Sequence, residues 1–274
     1  YVNGQPHLGH AYEKVITDVI VRARRCLGEE AFYLTGLDEH GQKVQQAAEA
    51  AGKDSQTYCD ELANDWQAFV KKLGISNNDF VRTTDARHQA VVCEILQQLY
   101  DTGEFYQDEY VGFFSVKQEA FLNERDRNED GKFDELYGEV TELKEKNYYF
   151  KLGRHQQWLI DHIEATPDFI APDNRRNEVL GFLKNETLED LCISRPKERL
   201  TWGIPLPFDA DYVTYVWFDA LVNYLSIPRS RGEEAELWPA DIHVIGKDIL
   251  KFHAVYWPIM LKAADLALPK QVLV

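Results

Sequence analysis

The chain lacks long apolar runs. None approaches the ~18 residues a helix needs to cross a bilayer, and no secretory leader pattern opens it. That excludes a protein built on membrane-spanning helices. Cysteine is scarce: Cys26, Cys59, Cys93 and Cys192 stand far apart and none forms a C-x-x-C pair. They read as reduced thiols packed on helices in a cytoplasmic protein, not as a disulfide framework. Basic residues are outnumbered, 30 Lys and Arg against 46 Asp and Glu, for a net charge of −16. A general nucleic-acid coat protein has the opposite balance. Local basic clusters remain at Arg22/Arg24/Arg25, Lys144/Lys146/Lys151/Arg154 and Arg195/Lys197/Arg199. The first falls in the last turn of a helix before Gly28, where cations suit the dipole and glycine the cap. There is no internal repeat, no low-complexity tract and no initiator methionine before Tyr1. The last residues, 271–274, are an apolar string inside an expected strand, so the chain reads as a piece of something longer.

With 274 residues and 45% apolar content, the chain can build one large or two medium domains, each with a real core. The periodicities predict helices over 10–27, 42–51, 55–73 and 86–101, with Val15, Val19 and Ala23 on one apolar stripe of the first. Between them, 31–35 and 79–83 read as short buried strands. Strands alternating with helices imply a parallel α/β sheet, whose ligands sit at strand carboxyl ends near helix starts. From about residue 105 the texture changes to a strand, a charged stretch and helices with Pro and Asn breaks. It returns near 200 to strands and helices, including a strand over 241–245 and a helix over 248–264. The expected architecture is therefore a doubly wound parallel sheet, with 1–104 and 191–274 as its halves and 105–190 as an insertion.

His7-Leu8-Gly9-His10 stands at the start of the first helix. Such a start offers unpaired N–H groups and a positive dipole end that suit phosphate. Gly9 leaves room for a planar ligand, and two imidazoles can donate to charge developing at an attacked phosphorus. Asp38, between a strand and His40-Gly41, reads as an N-cap of helix 42–51 or as a carboxylate for a ligand ammonium, and the two are compatible. Trp217, Ala220 and Tyr224 have helical spacing, so a small residue between aromatics makes a slot. Gly246 and Asp248 join a strand to a helix, a plausible nucleoside-sugar site. His253 and Trp257 follow four apart on that helix. Asp126-Arg127-Asn128-Glu129-Asp130-Gly131 opens like a calcium loop, but Tyr137 stands where the bidentate Glu belongs, so a solvated turn is the better reading.

Taken in order, these segments resemble the catalytic region of class I aminoacyl-tRNA synthetases and, among them, the methionyl-tRNA synthetases. Residues 1–10 look like the HIGH signature with its upstream strand end. Residues 35–41, Ile193-Ser194-Arg195, 202–205, 216–220 and 246–249 follow in family order. The resemblance implies a Rossmann-like core interrupted by a connective-peptide domain. It implies MgATP, methionine and tRNA as substrates and no membrane. His7 and His10 would contact the ATP phosphates as the catalytic residues; Gly9, Glu13, Gly246 and Asp248 would complete the nucleotide site. Asp38 would pair with the methionine ammonium. Tyr1, Trp217, Ala220, Tyr224, His253 and Trp257 would form the methionine pocket, with Arg195 a conformational or charge-bearing residue. The departures are Ser115-Val116-Lys117-Gln118 where relatives carry a zinc-knuckle cysteine pair, so a zinc-free knuckle is expected, and Leu221 where some have proline. The KMSKS signature and the anticodon-binding domain are missing, so the chain alone is expected to be a poor catalyst. The insertion, about 85 residues, is too short for a separate editing domain. Alternatives are a class I synthetase for another small apolar or thiol amino acid, and a ligand-binding module without chemistry.

Overall fold

A computed structural model describes residues 4–115, 117, 120–122, 124–128 and 130–274. The first part runs α1 (Leu8–Cys26), β1 (Leu34–Leu37), α2 (Gln42–Ala50), α3 (Ser55–Lys72), β2 (Asp79–Arg82) and α4 (Ala86–Asp101). β1 and β2 pair in parallel, from Leu34 opposite Asp79 to Leu37 opposite Arg82. Gly36 permits that pairing: a Cβ there would stand 2.1 Å from the Val81 carbonyl oxygen. Asp54 caps α3 by accepting from the Thr57 N–H at 2.9 Å. Gly74, at φ +69°, follows its last turn as a C-terminal glycine should.

One expectation fails at α1. Val15 and Val19, on the expected apolar stripe, are 43% and 58% exposed, and Lys14, Asp18 and Val21 are buried instead. Bonded polar groups make the inner face the charged one. Asp18 accepts from the Ser76 N–H at 2.7 Å and from Arg22 Nε at 2.6 Å. Burial raises the Asp18 carboxyl, but these bonds outweigh it and hold it below the ordinary range. Arg25 donates to the Ala31 and Ser76 carbonyls, so its guanidinium is spent on the fold, while Arg24 stays exposed beside Glu29.

The middle part contains β3 (Phe105–Ser115), β4 (Ala120–Leu122), β5 (Val140–Phe150), α5 (Gln156–Ala165), β6 (Ile170–Ala171) and α6 (Asp173–Asn185). The last part contains β7 (Leu191–Cys192), β8 (Ser194–Pro196), β9 (Pro205–Leu206), β10 (Asp209–Thr214), α7 (Val216–Ala220), α8 (Asn223–Ser230), α9 (Glu234–Leu237), β11 (Ile242–Val244), a π-turn (Phe252–Tyr256), α10 (Trp257–Ala263) and β12 (Gln271–Leu273). Strands β4-β3-β5-β7 form an antiparallel sheet, β8-β10-β9 another, and β11-β12-β6 a parallel one.

The texture that marks 105–190 as one insertion hides a division. β6 lies within that stretch, yet it pairs in parallel with β12, Val272 opposite Ile170. Leu159, Ile163, Val179 and Leu183 of α5 and α6 join the cluster that holds Leu96, Phe218, Trp257 and Met260. The antiparallel sheet is the part built on its own ladder. Near its tip the Arg127 guanidinium lies 4.6 Å from the Phe113 ring and 4.5 Å from the Phe133 ring. Asn128 accepts the Asp130 and Lys132 N–H groups with its side-chain oxygen, so the calcium-like stretch is a self-bonded turn. Val116, Gln118 and Glu129, which belong to segments singled out above, lie outside the described residues. Among the described residues no helix is long and apolar enough to cross a membrane.

Candidate active site

A cleft of about 590 Å³ lies between α1, the carboxyl end of β1, α7, α8 and β11. His10, Glu13, Asp38, Trp217, Ala220, Tyr224 and His253 line it. Five sequence segments, spread from residue 10 to residue 253, thus deliver their candidate groups to one space. The facing edges of β1 and β11 also border it, and it continues along α1 as far as Arg24.

His10 lines the cleft, whereas His7 and Gly9 are exposed and do not; His7 and His10 cap their own helix. His7 Nδ1 accepts the Gly9 N–H at 3.1 Å, and His10 Nδ1 accepts the His7 N–H at 3.2 Å. An imidazole that accepts at Nδ1 carries its neutral proton on Nε2, so both rings keep an Nε2–H donor for a ligand. The rings stack at 3.7 Å, and His10 abuts Trp66 at 4.6 Å. Burial, then His7 and Lys14, lower His10 to about 4. At neutral pH it is therefore a hydrogen-bond donor and not a cation. Gly9 is explained locally: a Cβ would sit 3.0 Å from His7 Cε1, so the missing side chain makes room for the imidazole that closes the cap.

Asp38 does not cap α2; Gly41 is the N-cap, without a side-chain bond. The carboxylate is left at the cleft wall. Burial pushes it above the ordinary carboxylate range, and the Asp219 carboxylate adds to the push. A carboxylate in that state gains from a cationic partner. Glu13 pairs with Lys14 at 2.9 Å.

The slot beyond Asp38 is aromatic, and its polar atoms are turned on one another. Tyr224 Oη lies 2.8 Å from His253 Nε2, and His253 Nδ1 lies 2.9 Å from the Ile249 carbonyl. The carbonyl can only accept, so His253 donates from Nδ1 and accepts the tyrosine proton at Nε2. Burial lowers His253 to about 4 and His243 to about 3. Tyr224 and His253 therefore present ring faces, not free polar atoms, to the slot.

His243 was not anticipated, yet it lines the cleft and stacks on Tyr224 at 4.0 Å. An imidazole inside the apolar run Ile242-His243-Val244-Ile245 was the available signal. Trp257 does not line the cleft. It is buried behind it and donates Nε1–H to His243 Nε2 at 3.2 Å. The four-residue spacing from His253 assumes a regular α-helix, but the Phe252–Tyr256 π-turn closes at i+5 and turns the indole inward. Gly246 and Asp248 are exposed at the carboxyl end of β11, outside the enclosed part, and nothing lies within 4 Å of a Cβ built on Gly246. Arg195 is buried outside the cleft, over the Tyr215 ring at 4.9 Å. Tyr1 lies outside the described residues.

The carboxyl end of the parallel strand β1, the self-capped helix α1, an acidic group and an aromatic slot thus meet at one cleft of an α/β fold. The profile of the family described as tRNA synthetases class I (M) matches residues 1–131 and 134–274, and the chain belongs to that family. It is 45% identical to the methionine–tRNA ligase of Deinococcus radiodurans over 279 residues, covering all of this chain and 41% of that protein. It is 44% identical to that of Rickettsia typhi over 277 residues, covering 54% of it. The crystal structure of Mycobacterium tuberculosis methionyl-tRNA synthetase bound by methionyl-adenylate superposes with a TM-score of 0.93 at 42% identity, covering all of this chain and 55% of that one. The free form of the same enzyme gives 0.83 at 38% identity, covering all of this chain and 53% of that one. The chain spans about half the length of the relatives it matches.

Proposed function

We propose that this chain is the catalytic region of a methionine–tRNA ligase working in the cytoplasm. The methionine carboxylate attacks the α-phosphorus of MgATP, methionyl-adenylate forms and pyrophosphate leaves; in the whole protein the tRNA 3′-end hydroxyl then attacks the adenylate carbonyl and AMP leaves, with tRNA held mainly by parts outside this chain. No covalent bond to the enzyme is needed. Rate comes from positioning and from donors aimed at developing charge. His7 and His10 supply Nε2–H groups to the phosphates. Asp38 takes the ammonium, which relieves its desolvation. Gly9, Glu13, Gly246 and Asp248 border the nucleotide. Tyr1, Trp217, Ala220, Tyr224 and His253 receive the side chain, with Trp257 supporting the slot from behind.

The observation that carries this reading is the convergence of His10, Asp38, Trp217, Ala220, Tyr224 and His253 on one cleft, in a chain 45% identical to a methionine–tRNA ligase. Because Tyr224 and His253 satisfy each other, the slot offers ring faces, and a thioether gains sulfur–aromatic contacts there. Shape alone discriminates a methylene by ~1–3 kcal/mol. The test is amino-acid-dependent ATP–pyrophosphate exchange by the full-length protein. Exchange with methionine and not with leucine or cysteine is expected. Leucine- or cysteine-dependent exchange overturns the specificity, and binding without exchange reduces the protein to a binding module.

A further inference from the structure

Four polar side chains outside the cleft form a closed buried set. Asp219 is fully buried; its Oδ2 lies 2.6 Å from His40 Nδ1 and its Oδ1 2.7 Å from His88 Nε2. His88 Nδ1 lies 2.9 Å from Ser226 Oγ. Burial raises Asp219, but His40 and His88 outweigh it and hold the carboxyl below its ordinary range. An ionised carboxylate only accepts, so both imidazoles donate to it, and the other His88 nitrogen meets the Ser226 hydroxyl, which also reaches the Asn223 carbonyl at 3.2 Å. The set ties together the loop after β1, α4, α7 and α8.

The placement is specific. α7 has only five residues, too short to hold its own orientation. Trp217 and Ala220, three apart, share its cleft-facing side, and Asp219 points from the opposite side into the interior. His40 follows Asp38 by two residues. Its loop is fixed from the other side by Trp202, whose Nε1–H donates to the Glu39 carbonyl at 2.5 Å and whose carbonyl accepts the Gly41 N–H at 3.2 Å. The brace therefore spans from the residue facing the ammonium to the helix that walls the side-chain slot.

We propose that Asp219 is a positioning residue for amino-acid selection: through His40 and His88 it fixes the rotation of α7, and so the distance between the Trp217–Ala220 wall and Asp38. This rests on the methionine reading above. Among the described residues no hydrogen bond links the α1 mouth or the Gly246–Asp248 turn to the set, so the nucleotide side is expected to be little affected by it.

The test uses the full-length protein with Asp219→Asn and, separately, Ser226→Ala. Asn presents an NH₂ to one imidazole N–H and breaks one arm of the brace. For Asp219→Asn the methionine Kd rises about tenfold, about 1.4 kcal/mol, while the ATP Kd stays within about twofold. Ser226→Ala shifts methionine in the same direction by about twofold to threefold. Hydrogen–deuterium exchange across residues 216–221 quickens in both without ligand. Parallel weakening of methionine and ATP marks a merely structural residue and overturns the proposal; so does unchanged methionine binding in a folded variant. If Asp219→Asn does not fold, Ser226→Ala decides the same split. If the unmodified protein does not bind methionine, the functional reading fails alone, and the exchange at 216–221 still decides the brace.

Discussion

The cleft and the antiparallel sheet of 105–150 use similar side chains to opposite ends. Near the tip of the sheet a charged group is held by its neighbours: Arg127 sits between Phe113 and Phe133 and donates to the Gly131 carbonyl. Cross-strand aromatics such as Tyr106 and Tyr149, ring centroids 5.6 Å apart, pack on each other. In the cleft, Asp38 is desolvated at the wall, and beside it His7 and His10 each spend one ring nitrogen on the backbone and leave the other clear of it. An arginine paired with Glu124 at 2.7 Å and held between two rings stabilises its own surroundings. A desolvated carboxylate costs free energy until a cation meets it, and on the reading proposed above the methionine ammonium is that cation.

The contrast is broken or sharpened in order of expected effect. His10→Ala removes an Nε2–H donor and lowers kcat for adenylate formation by roughly 10²–10³, with the methionine Kd nearly unchanged; single-turnover kinetics with the full-length protein checks it. Asp38→Asn raises the methionine KM on the order of 100-fold, ~3 kcal/mol, with little change for ATP, measured in the exchange assay. The pH dependence follows from the same group. Pairing requires the carboxylate, and burial has raised its pKa, so methionine affinity falls as pH drops through a value above the ordinary 3.8. Titration calorimetry across pH 4–8 shows that break, and its absence contradicts the desolvated carboxylate. His10, at about 4, adds no step near neutrality. The smallest effect belongs to the sheet: Arg127→Ala lowers thermal stability by ~0.5–1 kcal/mol and leaves the exchange kinetics unchanged.

Much of this was readable from residue order, and the exceptions have physical causes. Helix ends signed by Asp54, Gly74 and Gly28 fall where the punctuation puts them, because caps are local. α1 was misjudged on its inner face because Lys14 and Asp18 are buried by bonds to Ser76, Arg22 and Glu13, which periodicity does not register. Strand β1 begins at Leu34, three residues beyond its expected start, because pairing with β2 sets its frame. Trp257 turned inward because a π-turn changes phase without a sequence signature. The Asp219 brace was invisible because its members, residues 40, 88, 219 and 226, meet only in three dimensions.

The most direct test is a binding cycle with the full-length protein: methionine and its desamino analogue, 4-methylthiobutanoate, each against the unmodified protein and Asp38→Asn. If Asp38 receives the ammonium, loss of the amino group weakens binding roughly 30-fold or more in the unmodified protein and has little further effect in Asp38→Asn. Equal losses for both ligands on mutation would place the ammonium elsewhere and contradict the account.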